Sequence, residues 1–395
     1  MLKPEQSAVR RSRATFWLCF AVLLAAGLCV RAYRSPHFNF DMLYYVANAL
    51  DEGQPERQLH AEVYQLAAAS LPSEAYDALV NAPQIEPTFR RAQRDDPEAF
   101  GRTRGLFNQR AAYVGAIRLL HHVGINPFRA SVALNATATW ILITLMLWWL
   151  SPYWPDWALA LGLVPMTYAL QLMDIARLST SDMLAASLCF GALYLLFERN
   201  RAPLVAFALL ALAVLARAEV IILGLMTVIG LGWIGGAKRP SWAILALGSL
   251  LMLSAYGWLV LFRPGYGWRM AVSYCLMEHP PVPRLIDFTA GEYLQLLWRQ
   301  SRVVLGSAEM LLWLIGWGVA LIVAWHDTRV RSCRNLLLLI GANLAVRFVL
   351  FPALDYRYYL TFVSVTAVSG LHLLGLIRSR DAVDEATVAH PAGLS

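Results

Sequence analysis

Long apolar runs alternate with short charged segments along most of this chain. About ten of the runs are long enough to cross, or nearly cross, the apolar part of a bilayer as helices. They lie at 15–30, 130–150, 157–173, 183–197, 203–216, 220–234, 242–262, 309–324, 336–350 and 359–377. We therefore predict an all-α polytopic membrane protein with about ten transmembrane helices.

A polar region, 31–129, separates the first apolar run from the second. It contains the amphipathic segments 42–50, 61–71 and 111–122, which we expect to form helices that lie along the membrane surface. The last residues, 381–395, are polar and lack apolar periodicity, so we predict a disordered tail there.

The organisation that follows has four parts. A cytoplasmic N-terminal tail covers 1–14, and a transmembrane module covers 15–262 and includes the extracytoplasmic loop 31–129. The C-terminal helices occupy 263–380, with a second extracytoplasmic loop at 263–301, and the tail follows. The first run could also be a cleaved signal peptide, but we favour an uncleaved anchor because the rest of the chain is itself apolar.

Basic residues set the predicted orientation, because Lys and Arg mark the cytoplasmic loops of membrane proteins. With the N terminus inside, alternation of ten crossings leaves the other basic clusters inside too. These are Arg199/Arg201, Lys238/Arg239, Arg329/Arg331/Arg334 and Arg378/Arg380. Both termini are then cytoplasmic, in what we expect to be a bacterial inner membrane, and any site on the loops is extracytoplasmic.

Composition agrees with a membrane protein, since 58% of the residues are hydrophobic and only 15% are charged. The net charge of +7 is explained by the cytoplasmic loop cations and gives no reason to expect nucleic-acid binding. None of the five cysteines forms a C-x-x-C pair, and neither a P-loop nor a dinucleotide fingerprint is present.

Carboxylates and arginines collect at the outer ends of the predicted helices. Run 203–216 would rise only about 21 Å as a helix, so Arg217 and Glu219 should lie below the outer interface. Charges at that depth pair, line a wet cavity or bind a ligand. The set comprises Asp41, Asp174, Arg177, Asp182, Arg217, Glu219, Glu309, Arg347, Asp355 and Arg357.

Such a set suits one kind of chemistry. A carboxylate can take a proton from an acceptor hydroxyl, and arginines can hold a phosphate and stabilise its leaving charge. The alternative is that these charges form only local pairs, such as Asp174–Arg177, Arg217–Glu219 and Asp355–Arg357. Asp41 could likewise be a helix N-cap for 42–50, since Asp is a favoured cap.

The residues also resemble a known family. Asp41 follows the first crossing and precedes Tyr44 and Tyr45, and RLSTSDMLAASLCFGALYLLFERNR, ALAVLARAEVIIL and DYRYY lie at corresponding places. This layout is similar to the GT-C superfamily of membrane glycosyltransferases. The resemblance implies transfer of a sugar, with inversion, from a polyprenyl-phosphate carrier to an extracytoplasmic glycan, lipid or protein acceptor.

The resemblance also implies roles for single residues. Asp41 would be the general base, whereas Asp174, Asp182 and Glu219 would contact the acceptor or a metal. Arginines 177, 217, 347 and 357 would hold the donor phosphate, and the remaining substrate contacts would come from Tyr44, Tyr45, Asp355, Tyr356 and Tyr358.

A departure from the family leaves the cofactor open. Many members carry two adjacent acids in the first loop, whereas Asp41 lies between Phe40 and Met42. An isolated carboxylate is a poor ligand set for Mg²⁺ or Mn²⁺, so the metal requirement stays undecided. Two other functions remain alternatives, namely a transporter or flippase of an anionic lipid-linked substrate and a glycan ligase using a polyprenyl-pyrophosphate donor.

Overall fold

The computed structural model describes residues 4–81, 87–199, 201–234, 240–277, 280, 282–326, 330–353 and 355–388. Within these ranges the fold is built from helices and contains no strand, as predicted. The helices of the first half are α1 Pro4–Arg34, α2 Asp41–Leu50, α3 Glu56–Ser70, α4 Ser73–Val80, α5 Pro87–Asp95, α6 Pro97–Arg104, α7 Ala111–His122, α8 Pro127–Leu150, α9 Asp156–Ala169 and α10 Leu172–Arg177.

The second half continues the helical pattern. Its helices are α11 Asp182–Leu193, α12 Pro203–Ala216, α13 Val220–Ile234, α14 Trp242–Phe262, α15 Trp268–Val272, α16 Ala290–Gly306, α17 Ala308–His326, α18 Arg331–Leu350 and α19 Leu360–Val388. A 3₁₀ turn, Tyr356–Tyr359, leads into α19, and a π-helical segment, Tyr194–Arg199, extends α11.

Six helices are long and apolar enough to cross a membrane, by length and composition, within the described ranges. They span Phe16–Arg34, Pro127–Leu150, Trp242–Phe262, Ala308–His326, Arg331–Leu350 and Tyr356–Arg378. The apolar helices Pro203–Ala216 and Val220–Trp233 are shorter. The protein is therefore an all-helical membrane protein. Each apolar run of the sequence is largely helical, although the run 157–173 is divided between α9 and α10.

Two of these helices form the centre of the bundle. In α8 and in the span that contains α19, 61% of the apolar window is buried, whereas the share is 17% in α17. Helix α1 packs against α8 and α9 through Ala21, Ala25 and Cys29, which are four residues apart and so share one face. Helix α12 packs against both α11 and α14 beside this centre.

The first loop folds into a layer of helices, α2 to α7, and this layer corrects the prediction that 42–50 lies along the membrane surface. All residues of α2 from Met42 to Leu50 are buried, so α2 is the core of the layer rather than a helix on the membrane surface. Arg118 donates to the carbonyl oxygens of Ala49 and Asp51 at 2.9 Å each, which satisfies groups that the last turn of α2 leaves unpaired. Arg118 thereby ties the last turn of α2 to α7.

Helix α16 is amphipathic; it begins within the range predicted as the loop 263–301 and continues beyond it to Gly306. A capping box at Thr289 and Glu292 begins it. Leu294 and Trp298 are 64% and 65% exposed, although both are large and apolar. An apolar face of this kind on a membrane protein is typical of a helix at the interface with lipid.

The ends of the chain differ in part from the predictions. Helix α1 already begins at Pro4, within the predicted tail 1–14, and α19 continues as helix to Val388, where we predicted disorder. The remainder of that tail, 389–395, lies outside the described residues, as do Lys238, Arg239 and Arg329 of the basic clusters.

The contact between α12 and α14 depends on the absence of a side chain at Gly248. A Cβ placed there would lie 2.5 Å from the Phe207 ring, so Gly248→Ala must displace α12 or the ring. We expect this change to lower the free energy of unfolding by about 1–3 kcal/mol. SDS-induced unfolding of the detergent-solubilised protein measures it.

Gly257 on the same helix is the matched control. No described atom outside its own helix turn lies within 4 Å of a Cβ built there, so Gly257→Ala should leave stability unchanged or raise it slightly. Equal effects of the two substitutions would contradict close packing at Gly248.

Candidate functional site

Four arginines and four carboxylates meet where the ends of several helices converge. They come from the start of α2, the segment before α7, the start of α11, the α12–α13 connection, the end of α18 and the turn before α19. The members are Asp41, Arg110, Asp182, Arg217, Glu219, Arg347, Asp355 and Arg357. We call this group the charge cluster.

Asp41 belongs to the cluster through Arg357, which lies more than three hundred residues further along the chain. Arg357 Nη1 lies 3.2 Å from Asp41 Oδ2, and Arg357 Nε lies 2.6 Å from Asp355 Oδ2. Asp41 is the first residue of α2, but no side-chain hydrogen bond caps that helix. The N-cap interpretation of Asp41 is therefore wrong, and its carboxylate faces the cluster instead.

Asp182 and Arg217 form the most deeply buried ion pair of the cluster. Their side chains are 4% and 9% exposed, and Arg217 Nη1 contacts Asp182 Oδ1. Arg217 Nε also donates to Glu219 Oε1 at 2.7 Å. The local pairs Arg217–Glu219 and Asp355–Arg357 thus both exist, but each guanidinium also reaches a carboxylate from a distant part of the chain.

The Tyr358 ring lies at the centre of three of the arginines. The guanidinium carbons of Arg217, Arg347 and Arg357 lie 4.8, 5.3 and 5.3 Å from its centroid. Arg347 Nη1 also donates to the Tyr358 carbonyl oxygen. An aromatic face attracts cations, so Tyr358 helps to hold together three like charges that would otherwise repel one another.

Arg110 is a member of the cluster that our sequence analysis missed. Its Nη1 lies 3.5 Å from Glu219 Oε2, and its side chain is 19% exposed. Arg110 lies just before α7 in a polar segment with many other charges. Only the folding of the first loop onto the α12–α13 connection brings it to the site, and no sequence pattern distinguishes it from its neighbours.

Asp174 and Arg177 lie apart from the cluster. Helix α9 ends at Ala169, and Gln171 takes a left-handed conformation with φ of 48°, so both residues fall on the separate helix α10. Asp174 is exposed. Arg177 Nε donates to the Ser35 carbonyl oxygen at 2.7 Å, and the Arg177 carbonyl accepts from the His37 amide at 2.9 Å. Arg177 therefore anchors the segment with Ser35 and His37, which precedes Asp41, to α10.

The tyrosines predicted to contact substrate have different places. Tyr44 is 1% exposed, stacks on Phe107 at 4.8 Å and donates to Gln93, so it is a core residue of the loop layer. Tyr45 is buried next to Arg110. Tyr356 donates to the Leu170 carbonyl oxygen at 3.2 Å, away from the cluster.

A cavity of about 50 Å³ opens beside the arginines and is lined by Asp182, Arg217, Glu219, Arg347, Arg357 and Tyr358 among others. This volume exceeds the space that a single water needs several-fold. It therefore accommodates a small polar group with the dimensions of a phosphate. Among the described residues, no group of three or more His, Cys, Asp or Glu side chains could hold a metal ion.

An apolar groove of about 410 Å³ lies next to this cavity. Its walls come from α16, α17 and α18, and they include Val304, Leu314 and Phe348. Leu344 and Tyr359 line both the groove and the cavity, so the two spaces are adjacent. A ligand with a polar head and an apolar tail could occupy both at once.

Comparison with known proteins supplies no relative for this chain. No protein-family model, no curated protein and no solved structure matches it.

Proposed function

We propose that this protein is an integral membrane glycosyltransferase of the GT-C type. It transfers a sugar from a polyprenyl-phosphate donor to the hydroxyl group of an extracytoplasmic acceptor, which is a glycan, a lipid or a protein. The observation that carries the proposal is the charge cluster itself, in which four arginines and a carboxylate from the first loop meet beside a small cavity.

The arginines are suited to the donor phosphate. Arg217, Arg347 and Arg357 line the cavity, and guanidinium groups bind phosphate oxygens through short charge-assisted hydrogen bonds. The same groups stabilise the charge that the phosphate gains when the bond to the sugar breaks. Asp41, 3.2 Å from Arg357, takes the proton from the acceptor hydroxyl as that oxygen attacks the anomeric carbon.

The apolar groove supports a lipid-linked donor over a soluble one. It begins at Leu344 and Tyr359 of the cavity and runs between α16, α17 and α18. Leu305 in its wall is 63% exposed, so the groove is open to the outside of the helix bundle, where the proposed topology places lipid. An isoprenoid chain fits a groove of this composition while its phosphate lies at the arginines.

The proposed topology has ten crossings, with both termini in the cytoplasm and the charge cluster outside. Beyond the six long helices, the crossings would be α9, α11 with its π-helical extension, α12 and α13. Their apolar sequences and the alternation of basic clusters support this arrangement. The membrane would be the inner membrane of a bacterium.

Arg357 provides the test of donor binding. Arg357→Ala should weaken binding of a polyprenyl-phosphate hexose by roughly tenfold to a hundredfold, because hydrogen bonds to charged groups contribute about 1.5–3 kcal/mol each. Arg357→Lys should restore only part of the loss, since an ammonium group lacks the planar fork. Titration calorimetry of the protein in nanodiscs, with a radiolabelled transfer assay alongside, measures both effects.

Arg269→Ala serves as the control, since Arg269 pairs with the exposed Asp287 outside the cluster. Unchanged donor affinity in Arg357→Ala would remove Arg357 from the donor site. Movement of intact lipid-linked sugar across vesicle membranes, without sugar transfer to an acceptor, would instead favour a flippase. Transfer of a glycan from a pyrophosphate donor alone would favour a ligase.

A further inference from the structure

Glu219 is the carboxylate of the charge cluster that most arginines share. Arg217 Nε donates to it at 2.7 Å, Arg110 Nη1 lies at 3.5 Å and Arg347 Nη2 lies at 3.8 Å. These three guanidinium groups come from three separate segments of the chain. Proteins hold a phosphate in the same way, with several guanidinium groups around one anion.

Glu219 is accessible as well as enclosed by cations. Its side chain is 29% exposed, in contrast to 4% for Asp182, and it lines the cavity. Burial alone would raise the pKa of Glu219, but the charges of Arg217, Arg110 and Arg347 hold that pKa well below its ordinary value. Glu219 is therefore a permanent anion at the place where the arginines converge.

The other three carboxylates of the cluster each pair closely with one arginine. Asp182 is buried against Arg217, while Asp41 and Asp355 both pair with Arg357. Four arginines thus face four carboxylates, and the cluster is electrically neutral without a ligand. Each negative charge that a ligand adds is attracted by the arginines but repelled by Glu219 at close range.

We propose that Glu219 is a specificity-determining residue that limits how much negative charge the site accepts from its phosphate ligand. With Glu219 in place, the site takes a singly charged phosphodiester in preference to a diphosphate. This inference rests on the proposed function, and it deepens that function by naming Glu219 as the residue through which the site discriminates against a polyprenyl-diphosphate sugar.

Two short isoprenoid probes test the inference. One is farnesyl methyl phosphate, a phosphodiester with one charge, and the other is farnesyl diphosphate, with about three charges near neutral pH. Calorimetric titration of the wild-type protein in nanodiscs should show tighter binding of the phosphodiester. Tighter binding of the diphosphate to the wild type overturns the inference without any variant.

The decisive variant is Glu219→Gln, which keeps the shape and removes the charge. It should raise the affinity for the diphosphate by roughly tenfold to a hundredfold and should change the affinity for the phosphodiester by much less, because the repulsion scales with ligand charge. Glu219→Asp keeps the charge and should keep the wild-type preference. A general disturbance of the fold would weaken the binding of both ligands together. The ratio of the two affinities therefore distinguishes a change in specificity from a loss of structure.

Glu309→Gln is the matched control, because Glu309 lies in the first turn of α17 and accepts a hydrogen bond from Gln171 Nε2 at 2.7 Å, outside the cluster. It should leave the ratio unchanged. If both probes bind Glu219→Gln with the wild-type ratio, the inference is wrong and the proposed donor site stands. If neither probe binds the wild type, the donor site is wrong and the inference falls with it.

Discussion

Replacing Asp41 with Asn should nearly abolish sugar transfer while the protein remains folded and still binds its donor. The amide keeps the shape of the carboxylate but cannot accept a proton from the acceptor hydroxyl. Loss of general acid–base catalysis lowers turnover by roughly a hundredfold to ten-thousandfold. Initial rates at saturating donor and acceptor measure this effect, and SDS-induced unfolding measures stability.

Asp355→Asn is the matched control for this change. Both carboxylates pair with Arg357, at 3.2 Å for Asp41 and 2.6 Å for Asp355, so either variant removes one partner from the same guanidinium. If Asp41 only positions Arg357, the two variants should lower turnover by similar, small factors. If Asp41 is the base, the Asp41 variant should be far slower, and full activity in Asp41→Asn would exclude this mechanism.

The helical architecture follows from the sequence because the membrane requires each crossing to satisfy its own backbone hydrogen bonds. Each apolar run is largely helical, and length and composition together identify six helices that could cross a membrane. Local periodicity does not reveal what covers a helix. The apolar pattern of 42–50 would be the same if its polar face met water. In α2, however, the whole surface of the helix is enclosed by neighbours that include α3, α6 and α7.

The members of the charge cluster were predictable only in part. Asp182, Arg217, Glu219 and Arg357 follow or precede apolar helices, so topology alone brings them to the same side. Arg110 lies in a loop whose fold determines its position, and nothing local indicates that position. Asp174 shares the predicted side but not the cluster, because the break at Gln171 turns α10 away from α9.

The buried pair Asp182–Arg217 should be the most costly ion pair of the cluster to break. Arg217→Ala leaves the Asp182 carboxylate, 4% exposed, with Arg357 Nε at 3.9 Å as its one remaining cationic partner among the described residues. An uncompensated buried charge lowers the free energy of unfolding by about 3–5 kcal/mol. Asp182→Asn should cost less, because Arg217 retains Glu219 as a partner at 2.7 Å.

A double variant distinguishes the loss of the ion pair from the loss of either side chain. Asp182→Asn combined with Arg217→Met removes both charges and keeps most of the volume, so it should be more stable than Arg217→Ala alone. Arg269→Ala, which breaks the exposed pair with Asp287 at 3.1 Å, should change stability by less than about 1 kcal/mol. SDS titration of all four proteins in the same detergent measures these differences. An Arg217→Ala variant as stable as Arg269→Ala would mean that water reaches Asp182 and that the cluster is more open than its burial indicates.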